Sequence, residues 1–115
     1  MEYLQFKTVE EVKQAQLEGI DIHAHNDYAL RQAAKNGYIE VVKYLVEQGA
    51  NIHAQNEDAL RWAAENGHLE VVKYLVEQGA DVGTWGVYTI GWSAYNKHKD
   101  VGKYLKSILN NTKVI

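Results

Sequence analysis

From residue 39 the chain alternates in a helical rhythm. Val41, Val42, Leu45 and Val46 are apolar, while Glu40, Lys43 and Glu47 form a narrow polar stripe at spacings of three and four. That period predicts a helix from Glu40 to Gln48, closed by Gly49, with a twin from Glu70 to Gln78 closed by Gly79. Upstream of each lies an alanine-rich stretch. Leu30, Ala33 and Ala34 recur at helical spacing, and Asn36-Gly37 and Asn66-Gly67 supply residues that tolerate positive φ at a helix end. Asn26 and Asn56 are the expected N-caps of these first helices. Near the start, Thr8-Val-Glu-Glu11 spells a capping box and predicts a helix over about Val9 to Glu18.

The same phrase is spoken twice. Residues 21–50 read DIHAHNDYALRQAAKNGYIEVVKYLVEQGA and residues 51–80 read NIHAQNEDALRWAAENGHLEVVKYLVEQGA, with 22 of 30 positions identical and no gap. Residues 81–110 keep the register loosely, through Trp92, Ala94, Asn96, His98, Val101, Lys103, Tyr104 and Leu105. Gly19 and Lys13 fall 30 residues before Gly49 and Lys43. The expected organisation is one domain over 1–115: an N-terminal half-repeat at 1–20, repeats at 21–50 and 51–80, a degenerate C-terminal cap repeat at 81–110, and a tail at 111–115. A helix as apolar as 40–48 cannot bury itself against one neighbour, so each unit needs the adjoining ones to complete a continuous core.

This pattern resembles the ankyrin repeat over about residues 8–109. Gly67, His68, Glu70, Val71, Val72, Leu75, Gly79 and Ala80 match the family's G-H-x-E-V-V-x-x-L-x-x-x-G-A signature. The family's period is about 33 residues; here the segments Ala24–Leu30 and Ala54–Leu60 are about three residues short. Tyr28-Ala-Leu-Arg31 and Asp58-Ala-Leu-Arg61 replace the family's T-P-L-H, and the chain has no proline. Asp27 and Glu57, four residues before Arg31 and Arg61, are expected to substitute with ion pairs. Thirty-residue units of this wording resemble the ankyrin arrays of large DNA viruses. The resemblance implies an all-α ankyrin-repeat solenoid of three helix-pair repeats, with an N-terminal capping helix and short connections.

Composition narrows the function classes. Apolar residues are 46% and charged residues 23%, a globular balance, and there is no cysteine for a disulfide, a thiolate zinc site or a cysteine nucleophile. A net charge of −3 argues against a general nucleic-acid binder. No apolar run approaches the ~20 residues of a membrane span. The first residues lack a signal peptide's basic and apolar regions, so a cytoplasmic setting is expected. Residues 1–7 either pack as a short cover or mark where a longer array continues, and that end carries a risk of weak self-association.

Candidate chemistry is sparse. His23, His25 and His53 open the connecting segments, where stacking brings His23 near His53 and Asp27. They lack tight metal-ligand spacing, and bonding to backbone in the turn explains His23 and His53. Asp27, Glu57, Asp58 and Glu65 read as a solvated ion-pair stripe. Gly83-Thr-Trp-Gly86 lacks the spacing and the lysine of a phosphate loop. No catalytic residue, cofactor or metal is therefore expected.

What remains is a surface. The differences between the two clean repeats include His25, Asp27, Tyr28, Gln32, Lys35 and Tyr38 against Gln55, Glu57, Asp58, Trp62, Glu65 and His68. Most of these fall in the connecting segment and first helix, which the resemblance implies is the concave partner-binding side. In the third unit Trp85, Tyr88 and Tyr95 stand where Gln55, Asp58 and Glu65 stood. They are either contact residues or a C-terminal cap, covered by folding inward or by Val114 and Ile115. The expected contact set is His25, Asp27, Tyr28, Lys35, Gln55, Glu57, Asp58, Glu65, Trp85, Tyr88 and Tyr95. The expected function is a non-catalytic protein-binding module, a small inhibitor or adaptor; its rival is a structural or engineered scaffold without a specific partner.

Overall fold

Seven helices follow one another among the described residues: α1 (Val9–Leu17), α2 (Ala24–Asn36), α3 (Ile39–Glu47), α4 (Ala54–Glu65), α5 (Leu69–Glu77), α6 (Val82–Tyr95) and α7 (Lys99–Lys113). The computed structural model describes residues 4–95 and 98–113, excluding the side chains of 86, 87, 90, 92–95, 112 and 113. Helices α2, α4 and α6 pack in sequence as one layer, and α1, α3, α5 and α7 as a second. Each of α2, α4 and α6 also packs on the helix that follows it. The result is the expected stack of three helix pairs behind a lone first helix, 47 × 29 × 19 Å along its principal axes.

The core is periodic because the sequence is. Leu45 and Leu75 are completely buried and Leu105 nearly so, with Val42 and Val72 beside them. In α1, Val12 and Ala15 hold the places of Val42 and Leu45, so α1 stands in for the second helix of a unit. Ala29, Ala33 and Ala34, with Ala59, Ala63 and Ala64, face this core and let the layers approach closely. Residues 4–7 take the covering role: Leu4 is fully buried and Phe6 is 7% exposed. The Thr8–Glu11 capping box forms as its sequence predicts.

The G-H pair has a steric logic. Gly37 ends α2 at φ 76°, and a Cβ there would lie 2.5 Å from His68 Nδ1 of the next unit. Gly67 and His98 repeat the arrangement. Glycine thus serves twice, for the left-handed backbone and for the imidazole packed against it.

The openings of α2 and α4 differ from expectation. Asn26 and Asn56 do not cap a helix. His25, Asn26 and Asp27 have φ of 58°, 57° and 55°, and Gln55, Asn56 and Glu57 have 55°, 55° and 64°. Each triplet forms one left-handed turn, and the right-handed helix begins only at Tyr28 or Asp58. Such a backbone costs ~1–2 kcal/mol per non-glycine residue. A connection about three residues short must reverse direction in little chain, and the side chains around it offset that strain.

Candidate functional site

Each left-handed turn is held by a histidine–carboxylate pair. His23 Nδ1 lies 2.6 Å from Asp27 Oδ1, and its Nε2 lies 3.0 Å from the Gln48 carbonyl oxygen. The other Asp27 oxygen accepts the Asn51 amide at 2.9 Å, tying the first turn to the entry of the second. In the next unit His53 Nδ1 pairs with Glu57 Oε1, while Glu57 Oε2 is buried without a partner. Asp21 and Asn51 accept the amides of His23 and His53 at 2.9 Å. The histidines therefore belong to the turn, as expected, but they bond mainly to carboxylates. The groove between the turns is open and polar, lined by His23, Asn26, Asp27, Asn51, His53 and Asn56.

The expected Asp27–Arg31 and Glu57–Arg61 pairs give way to a shared acid, Asp58, which takes Arg31 from the preceding unit and Arg61 from its own. Arg31 donates from Nε to the Asn26 carbonyl at 3.2 Å and from Nη2 to the His25 carbonyl at 3.0 Å. Its Nη1 reaches forward to Asp58 Oδ2 at 3.2 Å. Arg61 Nη2 donates to the other Asp58 oxygen at 2.8 Å. The left-handed turn explains the change. It takes Asp27 and Glu57 out of the helical register that four-residue pairing needs, and it leaves carbonyls that Arg31 satisfies. In the second unit the Trp85 indole N–H donates to the Asn56 carbonyl instead.

Rings and cations continue this side of the molecule. The Arg31 guanidinium lies 5.5 Å from the Tyr28 ring centre and 5.8 Å from that of Trp62, and Lys35 Nζ is 5.1 Å from Trp62. Arg61 lies 4.9 Å over Trp85, whose ring centre is 6.0 Å from that of Tyr88.

The expected contact residues separate by burial. His25, Lys35, Gln55 and Tyr88 are exposed, and Tyr28, Glu65 and Trp85 are half-buried. Asp27, Glu57 and Asp58 are only 8%, 5% and 6% exposed, so they are not the solvated stripe expected of them. Their carboxylates are taken inward by His23, His53 and the two arginines. Trp85 is partly a structural bond donor rather than a bare contact. The side chains of Tyr95 and Trp92 and the residues Val114 and Ile115 lie outside the described residues.

A second ladder on the outer helices was not anticipated, although its period was in view. Lys13, Lys43 and Lys73 place Nζ 5.7, 5.9 and 5.7 Å over the rings of Tyr44, Tyr74 and Tyr104. Burial raises the Tyr74 and Tyr104 pKa values above the ordinary phenol range, and the Glu47 and Glu77 carboxylates raise them further.

A family model described as ankyrin repeats, in three copies, matches residues 1–85. The chain belongs to the ankyrin repeat family. Members of that family are generally protein–protein interaction modules and are typically non-catalytic. No curated protein matches this ankyrin chain. The family match stops at residue 85, inside α6, where the third unit abandons the wording of the first two. No described helix of the ankyrin chain is long and apolar enough to cross a membrane.

Proposed function

We propose that this ankyrin chain is a non-catalytic inhibitor or adaptor that grips one cytoplasmic partner protein along the face made by the left-handed turns and α2, α4 and α6. The observation that carries this reading is the contrast between frame and face. Eleven consecutive residues, 40–50 and 70–80, are identical in the two clean units. The positions that differ include the exposed His25, Lys35 and Gln55 and the half-buried Tyr28 and Glu65, all on the turns and first helices. Trp85 and Tyr88 extend the same side, with Tyr88 49% exposed. Aromatic and arginine side chains of this kind dominate binding energy at protein interfaces. Asp27, Glu57 and Asp58 serve the face indirectly by fixing the turns and Arg61. Tyr95 continues the face by register.

The test is cross-linking mass spectrometry on lysate proteins captured by the wild-type chain and by a His25→Ala, Lys35→Ala, Gln55→Ala variant. A partner that is lost with the variant and cross-links to 25–65 supports the reading. A partner captured equally by both, and cross-linked to the outer helices, refutes it.

A further inference from the structure

Arg31 of α2 and Arg61 of α4 are the same residue in two repeats, and they are not equally satisfied. Arg31 uses Nε and Nη2 on the carbonyls of Asn26 and His25, and Nη1 on Asp58 of the next unit. Arg61 has one hydrogen bond, from Nη2 to Asp58. Its Nε is buried without a partner, and among the described residues its Nη1 has none either. The reason is visible in the repeat. The residue 27 positions after Arg31 is Asp58; the residue 27 positions after Arg61 is Tyr88. The forward acid of the ladder is missing in the third unit.

The ion pairs agree with this. One carboxylate, Asp58, sits between two guanidiniums. Glu57 pairs through Oε1 with His53 instead. Lys35, over Trp62, adds a further cation to this side. Asp58 is thus shared by both arginines, and no second carboxylate pairs with Arg61 among the described residues.

The spare guanidinium is also pre-positioned. Asp58 holds one edge and the Trp85 ring covers one face at 4.9 Å, yet the Arg61 side chain remains 28% exposed. Trp85 is itself fixed by its N–H bond to the Asn56 carbonyl. An arginine immobilised this way loses little rotamer freedom on binding, and its planar fork suits a carboxylate.

We infer that Arg61 is the anchor for an Asp or Glu side chain of the partner protein, which takes on Arg61 the place that Asp58 takes on Arg31, with Trp85 and Tyr88 as the walls of the site. The inference rests on the proposed protein-binding role and names the chemistry its partner must present there.

A phage-displayed library of random linear peptides, panned on the full chain, tests it. Enriched binders are expected to share an acidic position. The best peptide and its Asp→Asn or Glu→Gln form are then titrated against wild type and Arg61→Gln. Loss of the acid is expected to weaken binding to wild type tenfold or more, and binding to Arg61→Gln by less than twofold. On wild type, the same peptide is expected to shift the Arg61 Nε–H NMR signal and leave that of Arg31 in place, a readout that does not need the variant to fold. Equal losses in both backgrounds, an unmoved Arg61 signal, or binders without an acidic position overturn the anchor while leaving the binding module standing. Failure to enrich any peptide that shifts signals from α2, α4 or α6 counts against the binding module itself, and the anchor falls with it.

Discussion

At the residue scale, the most constrained positions are those where one unit touches the next through a small group. Gly37 combines φ 76° with an imidazole where its Cβ would be. Gly37→Ala is expected to cost ~2 kcal/mol or more, from left-handed strain together with overpacking. The double variant Gly37→Ala, His68→Ala separates the terms by urea denaturation. It should recover the steric share relative to the additive expectation and leave the backbone share. The need for glycine here was legible, because Asn-Gly reads as a helix end. The imidazole above it was not, because single-chain periodicity gives the spacing of His68 but not which surface it packs on. Arg31 was misread for a related reason. Four-residue pairing with Asp27 assumes that both residues share a right-handed helix, and Asp27 lies outside it.

At the element scale, helix lengths and ends followed from apolar period and glycine, whereas the openings of α2 and α4 did not. Asparagine favours both an N-cap and the left-handed region, so Asn26 and Asn56 alone could not choose between them. Their shortened connection chose. Asn56→Val, which places a β-branched residue at φ 55°, is expected to lower stability by ~2 kcal/mol, while Asn56→Gly stays near neutral in the same urea titration. The outer helices carry a separate handle. Tyr74 has a raised pKa, caused by burial first and by Glu47 second. Its neutral phenol therefore contributes stability that is complete below the ordinary value near 10.0 and lost as pH rises through the higher native value. Ultraviolet titration of Glu47→Gln should show one tyrosine ionising at lower pH than in wild type. An unchanged curve would remove Glu47 as a cause. Tyr104 beside Glu77 is the internal control, because its signal should stay put.

At the scale of the whole molecule, the main packing partners of each described helix are its neighbours in its own and adjoining units, so stability is expected to spread along the stack as a series of local terms. The two ends are covered differently. On the first side, α1 packs on α3, and Leu4 and Phe6, from the short segment before α1, add further cover. At α5 both flanks are occupied, by α3 and α7. Amides in α1 should therefore exchange with solvent faster than those of Val71 to Leu75, since local opening follows local burial. Exposed Leu17, at 82%, shows that α1 leaves apolar surface uncovered. Leu4→Ala sharpens the test. Removing a fully buried leucine costs ~2–5 kcal/mol. If the stack is a chain of nearest-neighbour terms, that loss should speed exchange in α1, α2 and α3 well before α7. If the molecule instead behaves as one cooperative block, all helices should speed up together, and the description of the ends as independently weighted covers is wrong.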